Sequence, residues 1–200
     1  MSTNPTFAIT SNFLNDLKTQ TADSHRKLEE LPVSASIMSP EMKIEDYIFY
    51  LNLMHDVHND TETFVFPFFT NLLEDLEQRK KKHLIENDLS FLNSKKSNAE
   101  KVFYAEGISA PFALGILYVV EGSTLGGRFI LKNVSKRREL SGEQGVSYFN
   151  GYGEKTGSFW KSFLNFLSEY EQEHNCGDEI IEGAIFAFDS IYKHFDRKTK

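Results

Sequence analysis

The sequence predicts an all-α protein. Apolar residues recur at intervals of three and four along several long stretches, which is the period of helices with one buried face. No stretch of apolar–polar alternation stands out as a strand, and no internal repeat is evident. The chain has 200 residues, enough for one sizeable core. We therefore expect a single helical domain over residues 11–200, preceded by a flexible arm over residues 1–10.

The first predicted helix starts at Ser11, which can act as its N-cap, and ends before Pro32. Its apolar stripe consists of Phe13, Leu14, Leu17, Leu28 and Leu31. Lys18, Thr21 and His25 are spaced at i, i+3 and i+7 along the same side. One face of this helix therefore combines apolar and polar groups.

A second helix start is indicated by Ser39-Pro40-Glu41, which offers a cap, a proline for the first turn and an acid. The apolar period then predicts a long helix from Ile44 to about Phe66, ended by Pro67. We expect a polar helix over residues 68–82, in which Lys80 to Lys82 form a solvated face. A short helix over residues 83–92 and a loop over residues 94–98 follow.

The central stretch, from Ser109-Ala-Pro111 to about Lys136, predicts a long and largely buried helix. It contains Gly122, Gly126 and Gly127, although each glycine costs about 1 kcal/mol relative to alanine in a helix. Gly115, Gly122 and Gly126 share one face. A strip of bare backbone suits either a large flat ligand or a closely packed second helix, and the spacing alone does not decide between them.

The last third of the chain begins with a glycine-punctuated connection over residues 138–157. Such long connections often carry function. Two helices are predicted after it, over residues 156–173 and 178–195, separated by the stop signal Asn175-Cys176-Gly177.

Composition limits the function classes. With 22 Lys and Arg against 29 Asp and Glu, the net charge is −7, and a nucleic-acid partner is not expected. The single cysteine, Cys176, excludes an internal disulfide and suits a reducing compartment. We find no secretory pattern and no 18-residue apolar run, so we expect a cytoplasmic protein without a membrane partner. The 18 Phe and 8 Tyr indicate an aromatic core or a cavity for a large apolar ligand.

Two groups of residues could bind a metal. His25 lies where a core residue is expected, and it suits either a hydrogen-bonded core position or an iron ligand. His55, His58 and Glu62 fall at i, i+3 and i+7, but no second helix offers a matching Glu-x-x-His pair, so we expect a solvated polar face there. Nucleophile elbows, phosphate-binding loops and dinucleotide fingerprints are absent from the sequence.

Three segments together resemble the bacterial haem oxygenases, and most of all the group associated with bacteriophytochromes. They are Lys18-Thr-Gln-Thr-Ala-Asp-Ser-His25, Tyr118-Val-Val-Glu-Gly-Ser-Thr-Leu-Gly-Gly-Arg128, and Phe149-Asn-Gly-Tyr-Gly153 with Trp160. The resemblance spans about residues 12–195, and the glycine-rich segment is its most specific part. It implies a helical fold that holds haem between a proximal and a distal helix.

The resemblance also implies a site and a reaction. His25 matches the proximal iron ligand, and Gly122, Ser123, Gly126 and Gly127 match the distal segment that controls the reaction. The haem-binding set then comprises Lys18, Thr21, His25, Tyr118 and Lys132, with Lys18, Tyr118 and Lys132 as candidates for the propionates. The implied reaction is opening of haem to biliverdin by O₂ and electrons, with release of CO and Fe²⁺. The implied partners are haem, a ferredoxin or flavin reductase, and a bacteriophytochrome that accepts biliverdin.

One departure leaves alternatives open. Many haem oxygenases carry an aspartate where this chain has Ser123, and that aspartate anchors a water network. An inactive haem-binding or haem-trafficking protein on the same fold is therefore an alternative. A non-haem iron enzyme that uses His55, His58 and Glu62 is another, and a relative from thiamin salvage or cofactor biosynthesis would leave the agreement of His25 with the glycines unexplained.

Overall fold

The computed structural model describes residues 5–96, 98–136, 140 and 144–199, and over these ranges it is helical and contains no strand. Eight α-helices follow one another within these ranges. They are α1 (Pro5–Glu29), α2 (Pro32–Met38), α3 (Ile44–Asp60), α4 (Lys82–Phe91), α5 (Ala110–Val134), α6 (Ser147–Asn150), α7 (Thr156–His174) and α8 (Gly177–Thr199). The all-α prediction is confirmed.

Where the sequence has clear capping or stop residues, the predicted helix boundaries agree closely with the structure. The Ser109 hydroxyl accepts a hydrogen bond from the Phe112 amide at 3.2 Å and caps α5, which ends within two residues of its predicted end. The helices α4, α7 and α8 also begin within about one residue of their predicted starts. Asn175 ends α7 in the left-handed conformation, with φ of 49°.

The N-terminal prediction needs correction. Helix α1 begins at Pro5, so Ser11 lies inside it rather than at its N-cap, and residues 5–10 of the predicted arm are helical. Residues 1–4 lie outside the described part of the chain. Pro32 follows the end of α1 as expected, and it also opens the short helix α2, because a proline at the first helical position loses no intrahelical hydrogen bond.

The stretch from residue 39 to residue 82 differs most from the prediction. Ser39-Pro40-Glu41 forms a turn, and α3 instead begins after Lys43, whose amide donates to Asp46 at 3.1 Å. The long helix ends in a π-turn (Thr61–Val65) and a 3₁₀ turn (Phe66–Phe69) that contains Pro67. The predicted polar helix over residues 68–82 is absent, and turns with one 3₁₀ segment (Leu76–Arg79) replace it.

The described part of the connection over residues 138–157 is largely irregular, as predicted. Residues 137–139 and 141–143 lie outside the description. The remainder contains the single-turn helix α6 and a 3₁₀ turn (Gly153–Lys155) that leads into α7.

Helices α5 and α8 form the most extensive contact in the described fold, and two glycines bring their backbones together. A Cβ atom at Gly115 would lie 2.0 Å from the Ile180 carbonyl oxygen, and one at Gly183 would lie 2.1 Å from the Phe112 carbonyl oxygen. Gly115 therefore serves helix packing, which was one of the two uses expected for the glycine strip.

Helix α8 also packs against α1, while contact between α1 and α5 is slight over the described residues. The core between these elements is aliphatic and aromatic. Contrary to the sequence analysis, α5 contains an apolar stretch long enough to cross a membrane, but much of it is buried in the protein, as in the core helix of a soluble fold. Helices α1 and α5 therefore both pack against α8 but hardly touch each other.

The glycine contact predicts opposite effects of one substitution at two positions of α5. Gly115→Ala should destabilise the protein by about 1–3 kcal/mol, because the new methyl group meets α8 backbone that cannot move aside. Gly126→Ala should be neutral or stabilise it by up to about 1 kcal/mol, since nothing lies within 4 Å of a Cβ there. Urea unfolding of the two variants without ligand measures both changes in the free energy of unfolding. Equal changes would refute the conclusion that Gly115 packs against α8 while Gly126 faces open space.

Candidate functional site

The imidazole of His25 lies at the surface of α1, on the side that packs against α8. Its side chain is 56% exposed, and its ring meets the edge of Phe188 from α8 with centroids 5.5 Å apart. Glu29, one turn later, places a carboxylate oxygen 3.6 Å from Nε2, which is too long for a hydrogen bond. No core hydrogen bond satisfies this histidine, so the core alternative for His25 is not what the structure contains.

The two other predicted residues of α1 differ in exposure. Lys18 is exposed, two turns before His25 on the same side of the helix. Thr21 is buried, and its hydroxyl donates to the Leu17 carbonyl at 2.7 Å. Lys18 is therefore free to meet an anion beside His25, whereas the Thr21 hydroxyl is engaged with its own helix.

The distal glycines fall into two environments. A Cβ atom at Gly126 would meet nothing within 4 Å, and one at Gly122 would touch only the edge of the Trp160 ring, at 3.5 Å. A Cβ atom at Gly127 would instead lie 3.5 Å from both the ring and the carbonyl oxygen of Phe149. Gly122 and Gly126 thus present bare backbone, and Gly127 packs against the segment after α5.

Two exposed apolar side chains lie on the same side of α5 as the bare backbone, and the sequence analysis missed them. Phe129 is 73% exposed and Leu125 is 39% exposed. They follow Gly122 by seven and three residues and so lie on its side of α5. We call Gly122, Leu125, Gly126 and Phe129 the open face of α5. Their spacing from Gly122 was a usable signal, because large apolar residues beside bare backbone suggest a site for an apolar ligand.

The remaining predicted residues of α5 are placed differently. Ser123 is exposed, and its hydroxyl donates to the Val120 carbonyl at 2.7 Å. Tyr118 is half-buried against Trp160, with ring centroids 5.6 Å apart, one turn before Gly122. Lys132 is exposed and follows Leu125 by seven residues, so it lies on the Leu125 side of the open face. The structure therefore places Tyr118, Ser123 and Lys132 beside the open face.

A buried ion-pair network holds α5 directly before the open face. Arg79, with its side chain fully buried, donates to Glu121 at 2.5 Å and makes two bonds of 2.7 Å to Asp75. The Tyr152 hydroxyl donates to the same Glu121 carboxylate at 3.0 Å. Burial raises the pKa of the Glu121 carboxyl, while Arg79 and Lys81 oppose that rise. Glu121 is thereby fixed one residue before Gly122.

Lys81 corrects the prediction of a solvated lysine run. Its side chain is only 3% exposed, and Nζ lies 3.3 Å from the centroid of the Tyr152 ring, a cation–π contact. Lys80, by contrast, is partly exposed and pairs with Glu77. The charge run was misread because tertiary packing buries the middle residue alone.

His55, His58 and Glu62 also contradict the expectation of a solvated face. His55 and His58 are buried, and they bond to different partners, Glu86 at 3.2 Å and the Tyr148 hydroxyl at 3.1 Å. Glu62 accepts from the amides of residues 81 and 82, at 2.7 Å each. No group of three candidate metal ligands occurs among the described residues, so the arrangement does not favour a non-haem iron site.

An exposed imidazole on α1 and the open face of α5 suit a flat, largely apolar ligand that carries a metal. The exposed imidazole can bind the metal. A Cβ atom at Gly126 would occupy space that such a ligand could use. The residues present therefore fit haem.

Comparisons with known proteins identify the family and the fold. The Heme oxygenase family model matches residues 11–197. The solved NO- and CO-bound heme oxygenase from Neisseria meningitidis is 27% identical, covering 94% of this chain and 91% of its own, with a TM-score of 0.75. No curated protein sequence matches the chain.

Two further structures show the same fold at lower identity. Heme oxygenase from Leptospira interrogans is 15% identical with a TM-score of 0.78, covering 92% of this chain and 98% of its own. Heme oxygenase-1 from the cyanobacterium Synechocystis, solved in complex with heme, is 15% identical with a TM-score of 0.71, covering 93% and 91%. Together with the family match over almost the whole chain, they lead to one conclusion: this chain belongs to the heme oxygenase family of haem-degrading enzymes.

Proposed function

We propose that this protein uses O₂ and electrons to open haem to biliverdin, with release of CO and Fe²⁺. The observation that carries the proposal is that α1 offers an exposed imidazole at His25 while α5 offers bare backbone at Gly126. Both helices are supported by α8, and they make little contact with each other over the described residues. A porphyrin needs two such walls, one with a ligand for its iron and one without bulk.

His25 is the proposed axial ligand. A neutral imidazole pushes less electron density onto the iron than a thiolate would, which suits ring oxidation by the bound haem itself. Lys18 is the proposed cation for a haem propionate, and Tyr118 is a second candidate. Lys132, seven residues after Leu125 on the same side of α5, is a third candidate.

The bound haem supplies both the iron that activates O₂ and the ring that is oxidised. The protein restricts what else can happen at the distal side. Gly122 and Gly126 let the α5 backbone approach closely and offer no acid or base of their own. Ser123 supplies a small hydroxyl, already oriented by its bond to the Val120 carbonyl, that can position a water molecule. Gly127 supports this segment by packing against Phe149.

A haem-binding protein without turnover is the second candidate. Ser123 favours it, because a hydroxyl that donates to its own helix anchors water less firmly than the carboxylate that many relatives carry. Haem loading is common to both candidates, so only turnover separates them. For the enzyme we propose a ferredoxin or flavin reductase as electron donor, a bacteriophytochrome as a biliverdin acceptor, and the cytoplasm as its location.

The first expected outcome concerns His25. Wild-type protein should bind hemin one to one and, with ascorbate or a reductase in air, convert its Soret band into a biliverdin spectrum. His25→Ala should lose the spectral signature of the axial imidazole and the turnover. His83→Ala removes an exposed histidine from α4 and should behave as wild type. A stable wild-type Soret band would favour the haem carrier, and no Soret band would refute haem binding.

The open face predicts a steric block at Gly126. Gly126→Leu should leave the haem-free fold as stable as wild type, because the side chain enters open space, yet it should abolish hemin binding. Gly122→Leu should block it as well, though with some repacking of Trp160. Gly157→Leu is the matched control, since that glycine of α7 also has nothing within 4 Å. Hemin titration with circular dichroism measures both properties, and normal biliverdin formation by Gly126→Leu would contradict the proposal.

Charge reversal at Lys18 should weaken hemin binding or rotate the bound haem. A single exposed ion pair is worth up to about 1 kcal/mol, so a loss of affinity of about fivefold to tenfold is expected once attraction becomes repulsion. Lys95→Glu makes the same change in net charge in the loop after α4 and should have no effect. Hemin affinity and the biliverdin isomer are the measurements. Unchanged values for both would remove Lys18 from the site.

A further inference from the structure

A small cavity lies behind α5, next to the open face. Its volume is about 30 Å³, which holds one or two water molecules. Polar groups from three parts of the chain line it: Lys81, Ser123, Tyr148 and Tyr152. The cavity is therefore polar enough to retain ordered water.

Lys81 brings a buried charge to this cavity. Lys81 is 3% exposed, and its Nζ lies against the face of the Tyr152 ring. A largely buried ammonium is costly unless it has hydrogen-bond acceptors, and water in the cavity that Lys81 lines can supply them. Lys81 is thus a largely buried cation at a site for water.

The groups around Lys81 leave it as the proton donor of the cavity. Burial, together with the nearby Arg79 charge, lowers the pKa of Lys81 to about 8, although Glu121 and Glu62 oppose the fall. Burial raises the pKa of both Tyr148 and Tyr152 above the ordinary value. Behind Tyr148, burial lowers the pKa of His58 to about 3, so His58 is neutral. Tyr50, the other titratable group of the lining, has a pKa raised by burial to about 12.

Ser123 connects the cavity to the open face. It lines the cavity, yet it is exposed and directly follows Gly122. Its hydroxyl donates to the Val120 carbonyl, which leaves the hydroxyl oxygen able to accept a hydrogen bond from water in the cavity. A proton that enters the cavity water therefore has a hydroxyl on its path to the distal side.

We propose that Lys81, acting through water in this cavity and through Ser123, supplies protons to the distal side of the site. The inference rests on the proposed function, because reduction of O₂ during ring opening consumes protons. The Lys81 ammonium gives a proton to the water, the water gives one to Ser123 Oγ, and Ser123 passes its own proton to the distal side. The neutral amine regains a proton from solvent, so each cycle delivers one proton and changes no oxidation state in the protein.

Wild-type protein provides a test without hemin. NMR of lysine side chains in the haem-free protein, with the Lys81 signal assigned by its absence from Lys81→Arg, should show a titration midpoint near 8. A midpoint at the ordinary value of about 10.4 would overturn the proposal. Because the titration is made on the wild type, it does not depend on how active any variant is.

The pH profile tests the role itself. With saturating reductant, wild-type hemin decay should slow as the pH rises through 8, because the protonated amine is the donor. Lys81→Gln has no proton to donate, and Lys81→Arg keeps the positive charge but does not release its proton in this pH range. Both variants should therefore degrade hemin about a hundredfold more slowly and lose that pH dependence. Lys80→Gln is the control, since Lys80 is partly exposed and pairs with Glu77. Hemin affinity should remain unchanged in all three variants.

The outcomes separate this proposal from the proposed function. If Lys81→Arg degrades hemin at the wild-type rate and with the wild-type pH dependence, the proton route is wrong but the oxygenase function is unaffected. Wild-type protein that binds hemin without decay overturns the oxygenase function and the proton route with it. Circular dichroism checks that both Lys81 variants fold, and if either does not, the NMR midpoint of the wild type decides.

Discussion

The site depends on a contact between backbones, the crossing of α5 and α8 at Gly115 and Gly183. Carbonyl groups of each helix occupy the space that side chains would need on the other. Helix α8 also carries α1, so this crossing sets where the His25 helix stands relative to the glycine-rich helix. A larger residue at either glycine would move one wall of the proposed haem site, although neither glycine belongs to it.

Buried charge provides the second constraint on α5. Removing Arg79 and Glu121 from water is costly, and the cost is offset only because Asp75 and Tyr152 complete their hydrogen bonds. The resulting network joins the turn before α4, the helix α5 and the segment before α7. It ends one residue before Gly122, so a rigid polar cluster adjoins a face of bare backbone. Rigid support next to an open surface is what a site for a large ligand requires.

The sequence errors share one physical cause. Lys81, His55 and His58 lie in polar stretches where local composition favours exposure, but packing of distant segments buries them. The partner of His58 is Tyr148, 90 positions away, and that of Lys81 is Tyr152. The turns over residues 68–82 have the same origin, because the Arg79 side chain is directed into the core rather than to the solvated face of a helix. Periodicity cannot register such contacts, since it reports only neighbours along the chain.

By itself the sequence determined the helical class and the starts of α4, α5, α7 and α8, because helix period and caps such as Ser109 are local properties. It also placed His25 and the glycines in an order that resembles one family, and the family match agrees. Only the tertiary structure decided how the glycines divide: Gly115 packs against α8, Gly127 packs against Phe149, and Gly122 and Gly126 form the open face. The physical reason is that a glycine gives the same local signal whether a helix, a ring or open space lies opposite it.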